Sequence, residues 1–135
     1  AIPLDDTIPQ NNEGDEILTV SIAPTSADNV LVVEFSCTLG AAAARTVGIA
    51  LFQDATAGAL AATHAIVPAE GVGHGYLRHA MAAGTTDSTM FKIRVGDHAG
   101  GNVYVNGDGS GNRVYGGVAS TTLYVRELRA SAPPE

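Results

Sequence analysis

Val30-Leu31-Val32-Val33-Glu34-Phe35-Ser36-Cys37-Thr38-Leu39 decides how this chain folds. Leu31, Val33, Phe35, Cys37 and Leu39 recur at every second position, with Glu34, Ser36 and Thr38 between them. A period of two sends alternate side chains to opposite faces of a strand. The stretch therefore reads as a strand with its odd-numbered side chains in a core and Val32, Glu34, Ser36 and Thr38 outside.

The same period extends in both directions. Upstream, Leu18, Val20 and Ile22 alternate with Thr19 and Ser21, and Pro24 to Asn29 supplies turn chemistry. Downstream, Arg45 to Gln53 sets Val47, Ile49 and Leu51 against Thr46, Gly48 and Ala50. A weaker strand, 59–67, follows the turn 54–58, and the glycine-rich stretch 68–75 reads as a loop. Strands over 76–82, 89–96, 102–106 and 121–128 complete the pattern. The run Ala41 to Ala44 is too short to nucleate a helix and reads as a loop. About eight short strands at this spacing predict an all-β, antiparallel sandwich, with a jelly roll the natural eight-strand form.

Residues 1–16 read as an extended arm, 17–130 as the sandwich and 131–135 as a tail. In the arm, Pro3 and Pro9 fix φ and bias the preceding residues away from helix. Asp5, Asp6, Glu13, Asp15 and Glu16 supply five of the 14 acidic residues, with no basic residue among them. The arm reads as a connector lying against its own body or a neighbour's.

At 135 residues the chain can bury a core as a single domain. One cysteine, Cys37, permits no internal disulfide, and its apolar strand makes it a small buried hydrophobe. The net charge of −7 argues against a nucleic-acid partner. No apolar run approaches the length of a membrane span, and no secretory leader pattern stands at the first residue.

Chemistry-bearing patterns are sparse. Asn106, Asp108 and Ser110 match the first half of a calcium loop, but Gly117 stands where the bidentate acid belongs. His64, His74, His79 and His98 lack zinc-ligand spacing. No nucleophile elbow is present, and Gly71 to Gly75 lacks the lysine of a phosphate loop. The reading is of a non-enzyme that needs no metal or cofactor.

Two groups of candidate functional residues emerge. Tyr76, Arg78, Lys92, Arg94, Tyr124 and Arg126 lie on the outward sides of three strands. Tyrosine and arginine concentrate at protein interfaces, so these six are candidates for a subunit contact or, equally, for a solvated face. The loops 70–75 and 97–112 carry polar groups on a rigid scaffold and are candidates for ligand binding. Their residues are His74, Tyr104, Asn106, Asp108, Ser110 and Asn112.

Several blocks carry a resemblance. They are Ile2 to Gln10 with Glu13-Gly14, Leu51-Phe52-Gln53-Asp54, Leu77-Arg78-His79 with Gly84-Thr85-Thr86, Phe91-Lys92-Ile93-Arg94, and Tyr115 to Ser120. Together they resemble the C-terminal domains of tailed-bacteriophage tail fibres and tailspikes. The resemblance implies a jelly roll that forms a homotrimer behind an upstream fibre stalk, in the virion, and touches host cell-surface polysaccharide. No family active site maps onto these residues. A carbohydrate-binding module attached to a polysaccharide-degrading enzyme, or a capsid decoration or head-fibre protein, remain the alternatives.

Overall fold

The computed structural model describes residues 1–130; the expected tail 131–135 lies outside them. Eight strands follow in order: β1 (Asp15–Ile22), β2 (Val30–Ala41), β3 (Arg45–Gln53), β4 (Ala61–Val67), β5 (Gly71–Ala82), β6 (Thr89–Asp97), β7 (Tyr104–Val105) and β8 (Thr122–Leu128). They form two antiparallel sheets packed face to face. The first has the order β1-β6-β3-β4. In the second, β2 is central, with β5 on one side and both β7 and β8 on the other.

The all-β sandwich expected from the alternation is the fold. With β7 and β8 taken as one interrupted strand, every connection except the β3–β4 hairpin crosses between the sheets. That is the winding of a jelly roll with the edge position beside β8 empty: among the described residues no strand pairs with the outer edge of β8. The seam shows it. Leu18 and Val20 of β1 and Leu123 and Val125 of β8 are only half-buried, whereas inward residues of the central strands are fully buried.

The core is the one the Val30–Leu39 alternation predicts. Leu31, Val33, Phe35, Cys37 and Leu39 of β2 meet Val47, Ile49 and Leu51 of β3 and Phe91 and Ile93 of β6. Burial pushes the Cys37 thiol up to about 11, with the Gly75 backbone acting weakly the other way, so it stays a neutral hydrophobe.

The glycine-rich stretch is where expectation and structure part. Gly71 to Gly75 is not loop but the first half of β5, paired with Ala41 to Cys37 of β2. These glycines answer to crowding. A Cβ on Gly75 would collide with Ile49 Cδ1 and lie 2.9 Å from Cys37 Sγ, and one on Gly73 would lie 2.5 Å from the Ile66 carbonyl oxygen.

The arm covers the outer face of the first sheet. Ile2 is buried there in a second small cluster with Ala50 and Phe52. Its socket is made of absent side chains: a Cβ on Gly14 or Gly48 would come within 2.9 or 2.8 Å of Ile2. Farther along, Asn11 donates to the Ala57 carbonyl and Ala59 to that of Pro9, fastening the arm to the β3–β4 loop. β1 starts at Asp15, two residues before the boundary expected for the arm.

Candidate functional site

The outer face of the second sheet brings four of the six interface candidates together around a residue that alternation marked only as outward. Glu34 sits on β2, opposite Arg78 of β5 and Tyr124 of β8. One residue pair along the strand direction, Ser36 lies opposite Tyr76 and Thr122; on the other side, Val32 lies opposite Arg126. The Tyr76 hydroxyl donates to Glu34 Oε2 at 3.0 Å. Arg126 and Arg78 approach Oε1 at 3.7 and 4.0 Å.

The hydroxyls of Tyr124 and Tyr76 hold the Glu34 carboxyl below its usual range, with the two arginines adding to the effect. Glu34 in turn raises both tyrosines. Two arginines share one carboxylate, so the face carries a surplus of positive charge on a protein that is acidic as a whole. Both tyrosines remain close to half exposed, at 48% and 42%. The Tyr76 ring is fixed at its hydroxyl end by Glu34, while much of the apolar surface of both tyrosines faces solvent.

Lys92 and Arg94 are elsewhere. They stand on β6, in the opposite sheet, and serve the chain itself. The Lys92 ammonium donates to the Asp54 carbonyl at 3.0 Å. Arg94 donates to the carbonyls of Glu13 and Gly14, both at 2.7 Å, clamping the end of the arm. The arm is thus held through backbone oxygens. Among the described residues its five acids take part in no ion pair.

Five of the six ligand candidates gather at one end of the sandwich, where the segment after β7 folds over the end of β2. Gly40 is bare because the backbone of Gly107 and Asp108 rests on it, and Gly109 abuts the backbone of Glu70. Asn106 Oδ1 accepts from Thr121 Oγ1 at 2.7 Å and Thr38 Oγ1 at 3.3 Å. Asp108 Oδ1 accepts from the amides of Ser110 and Asn112 at 2.8 and 2.9 Å, and those amides hold its carboxyl below the ordinary value. The ring of Tyr104 lies beneath Gly111. Asn106 and Asp108 therefore spend their oxygens on shaping the loop, while Ser110 and Asn112 stay exposed. His74 is apart from them, on the outer face of β5 opposite Thr38.

Two further polar sites lie outside these groups. Asp97 is buried and accepts from Ala99 and Gly101 amides at 3.1 and 2.9 Å, with Arg45 at 3.7 Å. Burial works to raise its pKa, but those amides, His98 and Arg45 outweigh it and hold the carboxyl low. At the opposite end Glu127 Oε2 accepts from Asn29 Nδ2 at 2.6 Å and from the Thr25 amide at 2.8 Å, tying β8 to the β1–β2 turn. Among the described residues no three histidine, cysteine or acidic side chains come together as a metal site.

Glu34, at the centre of this cluster, is the residue that the alternation pattern alone did not single out. Its signal is there in retrospect: it is the one charged side chain in the apolar run Val30 to Leu39. No protein-family model matches the chain, and no curated protein shows significant similarity to it.

Proposed function

We propose that this chain is a non-enzymatic assembly and receptor-binding domain, the homotrimeric terminal domain of a bacteriophage tail fibre or tailspike, which contacts host cell-surface polysaccharide. The observation that carries the assembly half is the Tyr76–Glu34–Tyr124 cluster with Arg78 and Arg126. Preorganised tyrosine and arginine are the residues that dominate binding energy at protein interfaces. They occupy both flanks of one sheet, Tyr76 and Arg78 on β5, Tyr124 and Arg126 on β8. In a threefold ring the β8 flank of one subunit meets the β5 flank of the next, a heterologous contact that closes.

The number three, the virion and the fibre stalk come from the family resemblance; the face supplies the contact. The polysaccharide half rests on the loop-bearing end of the sandwich. The test is the double variant Tyr76→Ala/Tyr124→Ala, followed by light scattering and circular dichroism. The expected result is loss of the oligomer with the β-sheet spectrum retained. An unchanged oligomer would place the contact on another surface.

A further inference from the structure

The segment between β7 and β8 holds a feature that loop folding does not use. Its first part closes on itself through the Gly107–Arg113 bridge and the Asp108 turn. Beyond the bridge, Tyr115, Gly116 and Gly117 follow one another at φ of 50°, 64° and 89°. The left-handed region costs a residue with a Cβ about 1–2 kcal/mol, so Tyr115 is held there against its preference. The consequence is presentation: Tyr115 is 80% exposed, and Val118 beside it 81%.

Arg113 flanks this ring-bearing turn. Its stem lies along Gly117, where a Cβ would come within 3.2 Å of Arg113 Cδ. Among the described residues Arg113 joins no ion pair. A groove opens beside the turn, lined by Val105, Asn106, Gly107, Gly111, Arg113, Gly117 and Ala119, with Tyr115 outside its lining. Three of these are glycines, so a ligand can approach the backbone closely. The floor is firm, because the Tyr104 ring supports Gly111.

We propose that this turn is a saccharide site that takes a carboxylate-bearing pyranose, a uronate unit of a polysaccharide. The inference deepens the polysaccharide half of the reading above and rests on it. An exposed tyrosine face covers the C–H face of a pyranose ring with little entropy to lose. The free guanidinium fork matches a carboxylate in two parallel hydrogen bonds. Glycine walls admit the ring hydroxyls to backbone donors and acceptors. The overall charge of −7 opposes acidic polymers at long range, so recognition is confined to Arg113 and its neighbours.

The experiment is an NMR titration of the full chain with short oligomers of galacturonate, glucuronate and mannuronate, and with neutral galactose and glucose oligomers as counterparts. At least one uronate is expected to shift the Arg113 to Val118 amides and the Tyr115 ring, with its neutral counterpart weaker. Tyr115→Ala and Arg113→Gln are each expected to weaken that binding about tenfold, the scale of one charge-assisted or stacking contact. Arg113→Lys should restore only part. Silence with all three uronates, shifts confined to other residues, or equal binding of the neutral oligomer overturns the proposal. Neither substitution touches the Glu34 face, so the oligomer is expected to persist in both variants. Saccharide binding at another surface would overturn this site and leave the broader reading standing, whereas a monomeric wild type would leave this site standing.

Discussion

Tyr76 reaches Glu34 on a diagonal: its own cross-strand neighbour is Ser36, and its hydroxyl bonds the carboxylate two residues away at 3.0 Å. Small Ser36 leaves the space the ring crosses. Tyr124, directly opposite Glu34 on the other side, completes the arrangement. Both tyrosines are raised first because ionising either would forfeit its hydroxyl's hydrogen bond to Glu34, with desolvation and the phenolate's repulsion by the carboxylate adding to it. Glu34→Gln is therefore expected to bring the titration of both to lower pH, as followed by tyrosinate absorbance or ring-carbon shifts. Unchanged titration would mean that the carboxylate does not govern them.

Acid sensitivity follows from the carboxylates held low in the fold, Glu34, Asp97, Asp108 and Glu127. Each has a folded-state pKa below its unfolded one. The stability they contribute is present above the unfolded values, about 4 for Asp and Glu, and is lost as pH falls through the folded ones. Thermal midpoints should accordingly fall as pH drops from about 5 toward 2. Asp97→Asn should flatten that slope. A slope identical to wild type would show that Asp97 is not linked to folding.

Crowding at the strand glycines gives a sharper stability test. Gly75→Ala places a methyl against Ile49 Cδ1 and Cys37 Sγ inside the core. Overpacking of this kind costs about 1–3 kcal/mol, a large share of the roughly 5–15 kcal/mol of a whole domain. Urea denaturation should show the loss, and Ile49→Val in the same chain should recover part of it. Gly84 meets nothing within 4 Å, but its φ of 71° makes it a strained control rather than a neutral one.

Much of the body was legible because one physical rule wrote it. Val30 to Leu39 alternates because β2 is central and packed on its inner face, and every residue expected inward is buried, but Val32, expected outside, is buried as well. Gly71 to Gly75 misled because glycine reads as a turn former, while here it marks close approach of a neighbouring strand and of Ile49. The place of the arm was hidden for a related reason. Nothing local links Ile2 to Gly14, Gly48 and Gly96; only the fold assembles those three into a socket. At the candidate sites, outward position was readable but sheet membership was not. Lys92 and Arg94 share the outward pattern of Arg78 and Arg126, yet β6 belongs to the other sheet.

The arm should be releasable as a unit. Ile2→Ala removes its main apolar anchor, with a cost of about 2–5 kcal/mol if the site cannot collapse. Much of the loss should be local, since the arm's remaining ties are a few hydrogen bonds and the Arg94 clamp. Hydrogen exchange is expected to speed up at Asn11, Gly14 and Ala59 while the β2 amides stay protected. Equal acceleration in β2 would mean that arm and body unfold together.

The central claim, that the Glu34 face joins subunits, meets its most direct test in sedimentation velocity of the wild-type chain and of Arg78→Glu/Arg126→Glu over micromolar concentrations. The account predicts a wild-type species of three 13.7 kDa chains and a folded monomer for the charge-reversed variant. A wild-type chain that sediments as a monomer throughout that range would contradict it.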